Sequence, residues 1–259
     1  MFGQAENYDV HERSKPADAA ELAAIAERGR AIAAYDAAAW HATDEVKALH
    51  PRDGLVRMYV GRHTSAGWVI DFGRLNEAKD AFLIAFETTP TSDIKKPVVK
   101  VDEPVVEDRG EWLHEARALE LTRERMKVSR PYNAAVIPAP NGEWYVYFYP
   151  AQTTNDSFPT GADVRYLVSA DGSQLLEKHQ MRATLLEFKL PPAGTKADMT
   201  FRTAFLDDAP EDTDTAYALM MGGVAGFVMG HKFTYHIEED GSLNYLMTTQ
   251  AFMKVMKKK

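Results

Sequence analysis

The feature that most limits the fold is an order of local signals: a helical segment followed by β-prone runs, and then the same order again. Residues 18–49 are rich in Ala, Leu and Glu and read as a helix closed by His50-Pro51, with Gly29 as a candidate kink. Runs at 55–60, 68–72 and 81–87 follow, each rich in Val, Ile, Phe or Tyr and separated by turn-forming residues. A second helix is expected over 111–128. After it, A-A-V-I-P-A-P and E-W-Y-V-Y-F-Y-P flank Asn141-Gly142, a strong hairpin signal. Residues 164–169 and 174–188, joined through Asp171-Gly172, make another hairpin. Residues 234–237 and 242–248, joined by E-E-D-G, make a last one.

Helices do not alternate with single strands, so the order predicts an α+β fold rather than a parallel βαβ sheet. We expect a soluble globular protein of two helix-plus-antiparallel-sheet halves, 1–87 and 108–259. Between them, 88–107 carries Pro90, Pro97 and Pro104 and reads as a linker or a lone edge strand. No residue-level repeat relates the halves.

Composition narrows the partners. The chain has 259 residues, 45% hydrophobic and 26% charged, with a formal charge of −8. That charge argues against nucleic acid, because phosphate binding needs concentrated Lys and Arg. The basic cluster of Lys254 with Lys257, Lys258 and Lys259 reads as a solvated tail. With no cysteine there are no disulfides, thiolate nucleophiles or Cys-based metal centres. No run is long enough for a transmembrane helix, and M-F-G-Q-A-E-N-Y-D-V is not a signal peptide. A chain beginning after a removed signal would be periplasmic or exported, and otherwise cytoplasmic.

Y-D-A-A-A-W-H-A-T-D, G-W-V-I-D-F-G-R-L-N-E-A-K-D-A-F-L-I-A-F-E and P-A-P-N-G-E-W-Y-V-Y-F-Y-P-A-Q-T resemble runs in a group of uncharacterised bacterial proteins, many of them exported. The resemblance implies an envelope location and carries no catalytic motif.

Candidate chemistry is sparse. His114-Glu115 begins like H-E-x-x-H, but Ala118 stands where the second zinc ligand is required, so the motif fails and His114 is placed on a charged surface helix. Ser65 in H-T-S-A-G sits between two strand-like runs rather than on a strand-to-helix elbow. His63, Ser65, Asp36 and Asp71 together would be the parts of a hydrolase, if they converge. His231 and His236, five apart, point to opposite faces of an extended strand and are weak metal candidates. Gly222, Gly226 and Gly230, four apart, suggest a buried helix or loop packed closely on a sheet, with N-cap candidates in Asp212-Thr213-Asp214.

Two candidates remain. In E-W-Y-V-Y-F-Y-P, Trp144, Val146 and Phe148 face one way and Tyr145, Tyr147 and Tyr149 the other, which offers a tyrosine contact surface. Asp36 falls on the apolar stripe of the first helix, opposite His41, so it should be half-buried and paired, with a nearby arginine as the expected partner. The sequence reading is therefore a non-catalytic binding or protein-interaction module for a protein or small-molecule ligand, without a cofactor. A hydrolase and a metal-binding protein are the alternatives.

Overall fold

Helix α1 spans Ala19–Ala48. Asp18 caps it, its Oδ1 accepting from the Glu21 N–H at 3.0 Å, and His50, at φ 50°, turns the chain away before Pro51. The computed structural model describes residues 10–190, 195, 199–204 and 206–258. They form an α+β fold with predominantly antiparallel sheets. None of the described helices is long and apolar enough to cross a membrane. Contacts divide the chain into two compact units. A central unit holds 34–151 and 164–179; a terminal unit holds the described residues of 1–33, 152–163 and 180–259.

In the central unit, β1 (Met58–Thr64), β2 (Gly67–Leu75), β3 (Phe82–Thr89) and β4 (Val98–Asp108) form an antiparallel meander. Of the two readings of 88–107, the structure has the edge strand, inside this unit rather than between two halves. Pro104 is tolerated because the ladder shifts register there: Ile84 pairs with Val106, but Phe86 pairs with Val101. Helix α2 (Glu111–Arg123) precedes a second sheet of β5 (Tyr132–Pro138), β6 (Trp144–Pro150), β8 (Val164–Val168) and β9 (Leu175–Gln180). Trp112, Leu113, Ala116 and Leu119 of α2 share one apolar core with Val60 and Val69 of the first sheet and Val146 and Phe148 of the second.

In the terminal unit, β7 (Ser157–Gly161) pairs antiparallel with β10 (Leu185–Lys189). A second sheet has the order β11 (Thr200–Thr203), β12 (Gly226–Met229), β13 (Phe233–Ile237) and β14 (Leu243–Thr248), with β11 and β12 parallel. Helices α3 (Asp212–Met220) and α4 (Thr249–Met256) complete the unit. Two expectations change here. The run 174–188 is not one strand. Gln180 Nε2 and the Met181 N–H both bond the Asp163 carbonyl, at 2.9 and 3.1 Å, which ends β9 and starts a new path to β10. Of the two readings of 222–230, helix or loop, the helix is absent: α3 stops at Met220, Gly222 and Gly223 turn at φ 89° and 72°, and β12 follows.

Gly29 does not interrupt α1. A Cβ there would lie 2.5 Å from both the Asp212 carbonyl and Thr215 Cβ, so the glycine lets α1 and α3 approach. Gly29→Ala should gain about 1 kcal/mol of helix propensity and lose about 1–3 kcal/mol to overpacking. The expected net result is a lower thermal midpoint; an equal or higher one would show that the contact relaxes freely.

Candidate functional site

The structure does not bring the four hydrolase candidates together. Ser65 is exposed in the β1–β2 turn. His63 is exposed on β1 with its ring 5.3 Å from that of Trp68, the residue it faces across the ladder. Asp71 pairs with Val60, an odd number of positions along, so it lies on the opposite face of the sheet from His63. Asp36 belongs to α1. Of the histidine pair, His236 Nδ1 lies 2.9 Å from Glu238 Oε1, while His231 is exposed in the turn before β13. Among the described residues no three of His, Asp and Glu are placed to hold a metal ion. Lys254, Lys257 and Lys258 are exposed, and Lys259 lies outside the described residues.

Asp36 is half-buried and paired, but not with arginine. Its Oδ1 accepts from Tyr149 Oη at 2.7 Å and from Asn133 Nδ2 at 3.0 Å. These donors are neighbours across β5 and β6, so one carboxylate ties α1 to that sheet. Burial raises the Asp36 pKa and the two hydrogen bonds lower it. The same contact removes the tyrosine surface. Tyr147 and Tyr149 are 0% and 2% exposed, and Tyr145 is half-buried with the Arg165 guanidinium 4.9 Å from its ring centre.

The central unit also buries two carboxylates that lack matching charge. Asp71 is fully buried with neither oxygen hydrogen-bonded. Its pKa is pushed up to about 8, first by burial and then by Glu87 across the ladder, with Asp102 and Asp108 adding and Arg62 opposing. Glu115, the residue of the failed zinc motif, is buried in α2 with Oε2 unbonded. Burial raises its pKa well above the ordinary range, and Glu111 and Asp71 raise it further. Sequence reasoning missed Glu115, although its spacing from Trp112, Ala116 and Leu119 is the signal of a position on the apolar stripe.

The terminal unit buries charge too, but there arginines stand among the carboxylates, although Asp163 Oδ1, Asp208 Oδ2 and Arg202 Nη2 are left unbonded. Around the start of α3, Glu211 caps the helix and its N–H bonds Asp214 Oδ2 at 2.8 Å. Asp214 pairs with Arg182, the Asp214 carbonyl accepts from Arg202, and Asp212 pairs with Arg28 at 2.8 Å. Thr213 donates to Asp163, whose carboxyl burial pushes up to about 7 against the pull of Arg182. Acidic groups at a helix N-terminus also complement its dipole. This cluster ties α3 to Arg28 of α1, to Asp163 and Arg182, and to Arg202 of β11.

An open feature lies at the edge of the terminal unit's larger sheet. The Glu238 N–H bonds the Ser242 carbonyl at 2.9 Å, which fixes the alternation of the β13–β14 ladder. Asn244 exchanges hydrogen bonds with His236, whereas the N–H and C=O of Leu243 and Tyr245 point away from β13. Among the described residues those outward groups have no hydrogen-bond partner. A groove of about 310 Å³ runs between this edge and α1, where Leu22, Ala23, Ala26 and Arg30 form the facing wall. The wall is low because alanines line it. No motif signals an open edge, and sequence reasoning missed it.

Two outcomes test these environments. Tyr149→Phe should lower stability by about 1.5–3 kcal/mol in urea titration, as expected for losing a hydrogen bond to a charged group. An unchanged midpoint would show that Asn133 alone suffices. For Asp71 the unfolded carboxyl titrates near 4 and the folded one near 8. The folded state thus binds the extra proton between those values. Its contribution to stability is complete below about pH 4 and lost as pH rises, by up to about 1.4 kcal/mol per unit. Asp71→Asn should therefore gain on the wild type as pH rises from about 5 to 8; parallel stability curves would contradict the assignment. Comparison with protein-family models, with curated proteins and with solved structures finds no match to this chain.

Proposed function

We propose that this chain is a non-catalytic protein-interaction module that takes an extended segment of a partner protein alongside β14. The observation that carries the reading is the row of outward N–H and C=O groups at Leu243 and Tyr245, set against the alanine-lined wall of α1. Such an edge is a ready template for an added strand, whose main chain supplies affinity while neighbouring pockets select side chains. The groove's 310 Å³ is at the small end of ligand-sized pockets, about 300 to 1,000 Å³. Tyr245, 40% exposed, and Leu246, 40% exposed, offer apolar contact beside the edge. A bacterial, envelope-located protein would suit such a role, as the sequence resemblance implies.

Tyr245→Pro is a selective probe. It removes the outward N–H at Tyr245 while the β13 ladder, which does not use that group, stays intact. Selection of short random peptides on immobilised wild-type protein should enrich sequences that bind at micromolar strength. The variant, verified as folded by its circular dichroism and thermal midpoint, should lose at least about tenfold in affinity, equivalent to about 1.4 kcal/mol. Enrichment no greater on the wild type than on the folded variant would refute the β14 site.

A further inference from the structure

We infer that the β14 groove recognises the free C-terminal end of its partner, with Arg30 receiving the terminal carboxylate; this rests on the β14 reading above. The direction of the elements carries the argument. Near its start α1 approaches the far part of β14: the Ala17 N–H bonds Tyr235 Oη at 3.0 Å, and Tyr235 faces Tyr245 across the ladder. Thirteen residues on, Arg30 Nη1 reaches the Asp240 carbonyl at 3.4 Å, just before β14 begins. α1 therefore runs antiparallel to β14, and Arg30 stands at the strand's N-terminal end.

An added strand has two directions. Antiparallel to β14, it brings its C-terminal end to Ser242 and Arg30. Parallel, it brings an N-terminal ammonium to the same guanidinium, which like charge disfavours. Charge thus selects the antiparallel direction and a carboxylate terminus. The Arg30 charge is shared in part with its neighbour, because it helps lower the pKa of the Asp240 carboxylate. Arg30 is exposed, forms no ion pair among the described residues, and contacts Asp240 through that residue's carbonyl. The Asp240 carboxylate is already engaged by the Ser242 N–H at 2.9 Å and by the Ser242 hydroxyl. A guanidinium presents a fork of donors that matches a carboxylate in two-point geometry. The small volume of the groove also suits the last residues of a chain better than a long strand threaded through it.

The test uses peptides selected on the full chain, each synthesised as a free acid and as a C-terminal amide, with binding followed by fluorescence anisotropy. The acid should bind wild-type protein about tenfold or more tightly than the amide, the scale of one charge-assisted hydrogen bond. Arg30→Gln should erase that difference, Arg30→Lys should keep part of it, and added salt should narrow it. Equal binding of acid and amide by the wild type would overturn the carboxylate assignment and leave the β14 reading standing. So would a preference for the acid that survives Arg30→Gln. Failure of every peptide to bind would remove both.

Discussion

The carboxylate of Asp36 is the contact on which the central unit's arrangement depends. A charged group on the packed side of a helix must find donors, because an uncompensated one is costly to remove from water. Tyr149 and Asn133 supply them from adjacent strands, at 2.7 and 3.0 Å. The donors' positions dictate which side of β5 and β6 meets α1. That side then carries the tyrosines, and Phe148 and Val146 are left for the core under α2. A row of tyrosines that reads as a contact surface is, in the folded chain, a set of apolar rings whose hydroxyls can serve a buried acid.

Elsewhere the two units treat buried acid differently. At the start of α3 the carboxylates of Asp212 and Asp214 meet Arg28 and Arg182, and the helix dipole adds to the balance. Removing one member there would strand its partner, which is the expensive way to lose a buried pair. Asp71 and Glu115 face the reverse situation. Arg62 is the cation that opposes their upward shifts, and its guanidinium lies over the Trp112 ring, 5.1 Å from the centre. Their neighbours Glu87, Asp102 and Glu111 are acidic. Protonation is the inexpensive answer for such carboxyls, and it ties their charge state to the stability of the α2 contact.

Local signals made much of this fold legible and long-range pairing made the rest opaque. The sequence predicts the first helix over 18–49 and it spans Ala19–Ala48, because its ends are written in Asp18 and in His50-Pro51. Asn141-Gly142 and Asp171-Gly172 marked their turns for the same reason. Nothing local announces that β7 pairs with β10 or that β11 lies parallel to β12, since those partners are distant in sequence. Gly222, Gly226 and Gly230 have the four-residue spacing of a helix stripe, yet the positive φ values of Gly222 and its neighbour Gly223 make a turn. Asp36 was legible as buried and paired. Its partners were not, since tyrosine and asparagine serve as well as arginine and lie 113 and 97 residues away.

The open edge of β14 follows from how the terminal unit is assembled. The strand closes a meander with β13, and β14 leads directly into α4, whose cap at Thr248 accepts from the Ala251 N–H at 3.3 Å. Residues 243–256 are thus committed to one hairpin arm and one short helix, and none of them folds back over the edge. Natural sheets usually protect such an edge with charge, proline or a bulge. β14 has a bulge near Leu246, opposite the Thr234–Tyr235 step, which blunts the later part of the strand and leaves Leu243 and Tyr245 in regular register. Arg30, the one charged residue in the groove wall, stands beside that regular part. A cation there does two things at once. It discourages pairing with another basic edge, and it leaves the template available to a strand that ends in negative charge.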